Sequence, residues 1–283
     1  MNISETDSLT QNIINCSADI ERCSAEIDLF ISESILKKDF SNFPVIDIKN
    51  DILQEYNSLT RITCPSKYES VRQKLYIAEQ ISHIVKTPFA VKNDIDSSSD
   101  PIKIFYWNAN NYAREAFDVF SKIFALYEEN CVESFNAVCE NIVDEKAFGI
   151  IPIVNSTDGK LTSFYRLIDK FDLKIISACN IENTDGNGFT RYALIGKNLI
   201  DFADSGNKSI ELLINDDVSD LAISLGIIGG SVREITSIPS LHNKNDALNY
   251  VTVNLKSEDI YTLWWYLYIF GGDVDLIGIY SEI

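Results

Sequence analysis

Positive charge is scarce in this sequence. Twenty-four lysines and arginines face 42 aspartates and glutamates, leaving a net charge of −18 over 283 residues. Such an excess repels phosphate backbones and anionic lipid surfaces, so neither nucleic acid nor a membrane is an expected partner. It also repels small dicarboxylic acids unless basic side chains are gathered in one place. Histidine is scarce too. His83 and His242 stand alone, which argues against a histidine-built metal site or nucleophile–base pair. No metal and no cofactor are expected. The cysteines, Cys16, Cys23, Cys64, Cys131, Cys139 and Cys179, lack the close spacing of metal ligands and are expected as buried, reduced thiols. No apolar run reaches the ~18 residues that a spanning helix needs. The most apolar stretch, from Ile260 to Phe270, is bounded by Glu258, Asp259 and Asp273. The first residues, with Asn2, Glu5 and Asp7, lack the basic start and apolar segment of a secretory signal, so a cytoplasmic location is expected.

What is present fits a folded globular chain, since 46% of residues are apolar and 23% charged. The pattern predicts an α+β, multidomain protein. Residues 1–87 read as an all-helical domain. Leu9, Ile13, Cys16, Ile20, Cys23, Ile27 and Phe30 recur at the steps of one helical face. Ser41 to Pro44 breaks the pattern, a short helix follows from Ile48, and a third runs from about Tyr68 to Val85. Residues 88–101, with two prolines around an Asp/Ser cluster, read as a linker. Residues 102–200 alternate strands with helices, with helices over Tyr112 to Phe124 and Val132 to Val143. That alternation predicts a single α/β lobe with a mostly parallel sheet. Residues 207–283 follow the order βαββαβ of a ferredoxin-like domain, with a strand at Ile210 to Ile214, a helix at Ser219 to Ile228 and a closing strand at Leu276 to Tyr280.

Several motifs along this frame share a source. Phe148-Gly-Ile-Ile-Pro-Ile-Val-Asn-Ser-Thr-Asp-Gly159 resembles the Pro-Ile-Glu-Asn-Ser/Thr segment of prephenate dehydratases. Phe189-Thr190-Arg191-Tyr192 resembles that family's Thr-Arg-Phe motif, and Val274 to Tyr280 its closing Leu-Gly-Ser-Tyr strand. The βαββαβ tail is similar to a regulatory ACT domain, and the helical front, with Phe43 to Asp47 and the spacing from Lys38 to Pro44, resembles a helical chorismate mutase. The resemblance implies dehydratase-like roles for Thr190, Arg191, Asn155 and Ser156. It also implies mutase-like remnants at Lys38 and Asp47, and an ACT-like ligand site at Ser219, Asp220, Leu221 and Ser237. Without it, Thr190 is simply a β-branched strand residue and Arg191 a surface cation. The aromatic group Trp264, Trp265, Tyr266 and Tyr268 reads as core packing and a dimer seam.

Departures from the family pattern run through all three parts. The two mutase arginine positions fall on Thr10 and Ile27, and a guanidinium fork is not replaceable by either. The glutamate before Asn155 is Val154. The glycine-rich loop after the first strand is replaced by Asn108 to Ala113, with no glycine. Residues 157–189, 33 in number, separate Ser156 from Thr190, too few for the second α/β lobe that the family inserts there. In the tail, Thr236 and Ile238 replace the family's Glu and Arg. The expected function is therefore a degenerate, catalytically silent relative with a binding, regulatory or assembly role linked to aromatic amino-acid metabolism. The alternative is an active prephenate dehydratase, converting prephenate to phenylpyruvate. On either reading the expected ligand is a small molecule, an amino acid or prephenate. Relatives with such helical and ACT-like parts pair, and the apolar face from Leu9 to Phe30 asks for cover. Light scattering is expected to give a homodimer, twice the 31.9 kDa chain mass, at micromolar concentration; a monomer refutes this.

Overall fold

The computed structural model describes residues 3–63, 65–92, 100–108, 111–144, 146–157, 159–183, 188–200, 207–215, 218–239 and 247–283. Thr10, Leu9, Ile13 and Ile20 lie in a described helix, but their side chains, together with Cys64 and His242, fall outside what is described. Contacts divide the chain into two units, one made of residues 1–88 with 261–270, the other of 89–260 with 271–283.

The first unit is helical. Helix α1 (Ile3–Ser34) is followed by the Phe43-Pro44 break, where Pro44 O accepts from Asp47 N and Ile48 N to begin α2 (Val45–Thr63). The second helix is much longer than the short one expected, because Ile48, Ile52, Tyr56 and Leu59 continue its buried stripe. Helix α3 (Lys67–Ile84) is capped by Ser66, whose hydroxyl accepts from Glu69 N at 3.3 Å. The Arg72 guanidinium donates to both Asp28 oxygens at 2.9 Å, and one turn further along Ser32 and Tyr76 hydroxyls meet at 2.8 Å. Since 28 and 32 on α1 step with 72 and 76 on α3, the two helices run in the same direction. Along α1, Cys16, Cys23 and Phe30 are exposed and Ile27 is half-buried, so this part of the predicted apolar stripe is not covered within the chain.

The second unit is a sheet flanked by helices. In chain order its elements are β1 (Val91–Lys92), β2 (Ile102–Trp107), α4 (Asn111–Phe120), β3 (Tyr127–Val132), α5 (Phe135–Glu140), β4 (Ala147–Asn155), β5 (Gly159–Lys160), α6 (Thr162–Phe171), β6 (Lys174–Glu182), β7 (Phe189–Gly196) and β8 (Leu199–Ile200). Then come β9 (Asn207–Ile214), α7 (Ser219–Ile228), β10 (Ser231–Pro239), β11 (Ala247–Lys256), α8 (Ile260–Phe270) and β12 (Val274–Tyr280). The main sheet has the order β10-β11-β9-β12-β6-β7-β4-β2-β3, with β5 paired to β4. Strand β12 sits between β9, antiparallel to it, and β6, parallel to it at Gly278 and Ile175. The last four strands keep the βαββαβ order, yet they continue the sheet of the α/β part rather than closing one of their own.

Three expectations need correction. The sheet is mixed, not mostly parallel: β7 pairs antiparallel with both β6 and β4, so the strand–helix alternation covers β2, β3, β4 and β6, with α4, α5 and α6 between them, and stops at β7. The helix expected over Val132 to Val143 begins at Phe135, and the residues before it form β3. That strand lies at the sheet edge with Glu128 and Glu129 exposed, and so lacks the apolar run that marks a buried strand. Finally, residues 261–270 of α8 group with α1–α3, not with the strands on either side of it. This helix is apolar on every side, and such helices are buried all round. Trp264, Trp265 and Tyr266 are buried, Trp265 Nε1 donates to Val85 O at 2.6 Å, and Phe270 meets Tyr56 edge-on at 5.3 Å.

The sheet centre is covered on both faces. On one, Ala116, Phe117 and Phe120 of α4 pack with Ile104, Phe148, Tyr192 and Leu194. On the other, Val138 of α5 and Phe164, Tyr165 and Ile168 of α6 pack with Ile151, Ala178, Ala193 and Ile195. That double cover is why β6 and β7 are buried nearly end to end. The cysteines do not share one fate: Cys139 and Cys179 are buried, while Cys16, Cys23 and Cys131 are exposed and correct the expectation of buried thiols throughout. Burial pushes the Cys139 and Cys179 thiols up to about 12. Alkylation of the native protein is therefore expected at Cys16, Cys23 and Cys131 and, at Cys139 and Cys179, only after unfolding, as read by peptide mass mapping.

Candidate functional site

Strands β4 and β7 bring the dehydratase-like residues to one end of the sheet. The antiparallel register sets Asn155 directly opposite Thr190, and Val154 opposite Arg191. On the other side of β7, Thr190 pairs with Ile181 and Arg191 with Asn180. Successive strand residues point to opposite faces. Thr190 and Asn155 therefore share one face, and Arg191 and Asn180 share the other. The four residues are neighbours in the backbone but do not converge on one point.

Their hydrogen bonds are largely local. Asn155 Oδ1 accepts from Thr157 N at 2.9 Å, a side chain closing its own turn. Ser156 N donates to Phe189 O at 2.9 Å, and Ser156 Oγ accepts from Phe189 N, also at 2.9 Å. The hydroxyl thus extends the β4–β7 ladder by one bond. Gly188 is required beside it: a Cβ there would stand 2.2 Å from Ser156 Oγ, and its φ of +142° is one that side chains avoid. Thr190 is 8% exposed.

Arg191 is fixed twice. Its Nε donates to Asn180 Oδ1 at 2.9 Å, and its Nη2 donates to Glu282 Oε2 at 3.1 Å. The other Glu282 oxygen accepts from Arg233 Nη1, on β10. It is not the surface cation that a bare reading of the strand suggests, since its side chain is 9% exposed. On the same molecular half, Glu211 of β9 is buried and accepts from the Tyr165 hydroxyl at 2.7 Å and the Thr252 hydroxyl at 2.8 Å. Burial first, and the Glu211 charge second, push the Tyr165 and Tyr280 hydroxyls well above the ordinary phenol range, so both remain protonated.

The other candidates lie apart from these. Lys38 pairs with Asp51 at 3.1 Å and Glu55 at 3.9 Å, both on α2, while Asp47 is exposed in the first turn of that helix. Ser219, Asp220 and Leu221 open α7, with Leu221 buried; Ser237 on β10 is exposed and donates to Asn249 Oδ1 at 2.7 Å. Among the described residues no group of three or more His, Cys, Asp or Glu side chains could hold a metal ion, and no helix is long and apolar enough to cross a membrane. Sequence reasoning missed Glu211, Asn180, Arg233 and Glu282. For Glu211 a signal exists, a lone acid inside the apolar run Ile210 to Ile214; for the others only the register brings them together.

No protein-family model matches this sequence, and no curated protein matches it. Among solved structures, a prephenate dehydratase from Streptococcus mutans matches with a TM-score of 0.52 at 14% identity, covering 64% of this chain and 98% of that one. A prephenate dehydratase from Arthrobacter aurescens, solved in complex with L-Phe, matches at 0.48, with 12% identity over 64% of this chain and 90% of its own. GqqA, described as a novel type of quorum quenching acylase, matches at 0.48, with 12% identity over 64% and 96%. The match at 0.52 makes the fold prephenate dehydratase-like, in a mixed α+β chain. The first of these matches reaches nearly the full length of the dehydratase chain, and so lends nothing to the expectation of a lost lobe.

The Ser156–Gly188 contact yields a direct check. Gly188→Ala is expected to cost about 2 kcal/mol of stability, from the hydroxyl clash and the backbone strain together. Ser156→Ala in the same chain removes the clash but not the strain, so urea midpoints of the double variant should recover only in part.

Proposed function

We propose that this chain is a dehydratase-like protein that does not turn prephenate over. It acts by binding a small carboxylated molecule, an amino acid or a prephenate-like acid, or by assembly, in connection with aromatic amino-acid metabolism. The observation that carries this reading is how the four dehydratase-like side chains are spent. Asn155 and Ser156 bond to the chain's own backbone, and Arg191 bonds to Asn180 and Glu282 on the face opposite Thr190. Dehydration with loss of carbon dioxide asks a proton donor and a carboxylate clamp to meet one substrate, and residues on opposite sheet faces do not do so.

On the same reading, residues 1–87 are a mutase-like helical domain joined by the 88–101 segment to a dehydratase-like part at 102–200 and an ACT-like part at 207–283. Lys38, engaged by Asp51 and Glu55, supports a mutase-like segment without mutase chemistry. Ser219, Asp220, Leu221 and Ser237 are the ACT-like candidates for an amino-acid ligand. The protein is a homodimer, paired through the apolar stripe of α1, where Cys16, Cys23 and Phe30 are exposed. The opposing reading, an active prephenate dehydratase, draws on the register that sets Thr190 against Asn155.

One assay separates the two. Purified, folded protein is expected to form no phenylpyruvate from prephenate above the uncatalysed rate. Turnover that Thr190→Ala abolishes overturns the proposal and establishes the enzyme.

A further inference from the structure

We propose that Arg191 and Arg233 form a binding site for the carboxylate of a small organic acid, a site that Glu282 of the same chain occupies in this structure. The inference deepens the binding reading above, but its test reads binding rather than turnover, so either can fail alone.

The donors and the acceptor are held in different ways. Arg191 lies on β7, buried, with its Nε anchored to Asn180 Oδ1 on the neighbouring strand at 2.9 Å. That bond aims the guanidinium whether or not Glu282 is present. From it, Nη2 reaches Glu282 Oε2 at 3.1 Å, and Arg233 on β10 supplies a donor to the second oxygen, Oε1. Two guanidinium groups from distant parts of the sequence therefore hold the two oxygens of one carboxylate. In a chain of net charge −18, with 24 basic side chains, that is a marked concentration of anion-binding capacity. The buried Tyr280 hydroxyl stands in the same field, acted on by both arginines and by Glu282.

The acceptor, in contrast, lies beyond the last strand and is partly exposed. Glu282 follows the end of β12, its side chain is 30% exposed, and its backbone forms a lone parallel bridge with Ala178, in which Ile283 N donates to Ala178 O at 2.9 Å. The Ile283 side chain is itself more than half exposed. A lone bridge flanked by exposed side chains opens at lower cost than a full ladder. An incoming carboxylate would remake both arginine bonds one for one and leave the local charge unchanged. The segment after β12 is thus a displaceable plug on a carboxylate site whose donors are preorganised.

The test is calorimetric titration of the full chain with sodium phenylacetate, an aryl carboxylate chosen because the Phe189 ring lies 5.9 Å from the Arg191 guanidinium. Removing the internal competitor with Glu282→Gln is expected to tighten phenylacetate binding at least about tenfold over the unaltered protein. Adding Arg233→Gln is expected to reverse that gain, and uncharged phenylacetamide is expected to bind neither protein. If Glu282→Gln gains nothing, or Arg233→Gln loses nothing, the three groups are a structural ion-pair triad and the proposal fails. A second readout does not depend on how well the variants fold. In the unaltered protein, saturating phenylacetate must speed hydrogen exchange at the Ile283 amide, and unchanged or slower exchange overturns the proposal.

Discussion

The main sheet is continuous because one residue has no side chain. Strand β12 pairs with β9 along most of its length but meets β6 at Gly278, opposite Ile175. A Cβ at Gly278 would stand 2.6 Å from Ile175 Cβ and 2.8 Å from its carbonyl oxygen. Neighbouring strands must approach to about 4.8 Å to share hydrogen bonds, so any other residue would push the strands apart at the seam. On one side of that seam stand the strands of the βαββαβ tail; on the other stand β6 and β7, which carry Asn180, Thr190 and Arg191. The Arg191–Glu282–Arg233 arrangement spans it, joining β7 and β10 through a residue just past β12.

Local signals marked many of the elements, and packing decided what they did. Helix α7 occupies Ser219–Ile228, where the sequence pattern places it, and Gly229, with φ +75°, ends it. Strand β3 carries no readable signal in the sequence, because its Glu128 and Glu129 face water at a sheet edge and leave no period-2 apolar run. The mixed character of the sheet was also hidden. A run of strands reads the same in sequence whether the next strand pairs parallel or, as β7 does with β6, antiparallel.

The candidate site was legible as a list of residues but not as an arrangement. Thr190 and Arg191 are adjacent in sequence, so a motif reads them as a pair, while the pleat sends them to opposite faces. Asn155 and Ser156 belong to a recognisable segment, yet which partner each hydroxyl or amide meets depends on the register between β4 and β7. Glu282 and Arg233 carry no motif at all. Only the sheet order brings them to Arg191, and no spacing in the sequence records it.

The grouping of residues 261–270 with the first three helices bears on biosynthesis. The Trp265 indole N–H donates to the Val85 carbonyl, and Phe270 packs on Tyr56, so this helical core joins segments about 200 residues apart in sequence. As the polypeptide emerges from the ribosome, α1, α2 and α3 precede α8 by the strands β1 to β11 and must wait for it with part of their apolar surface uncovered. The helical unit therefore cannot be finished until most of the sheet has been synthesised.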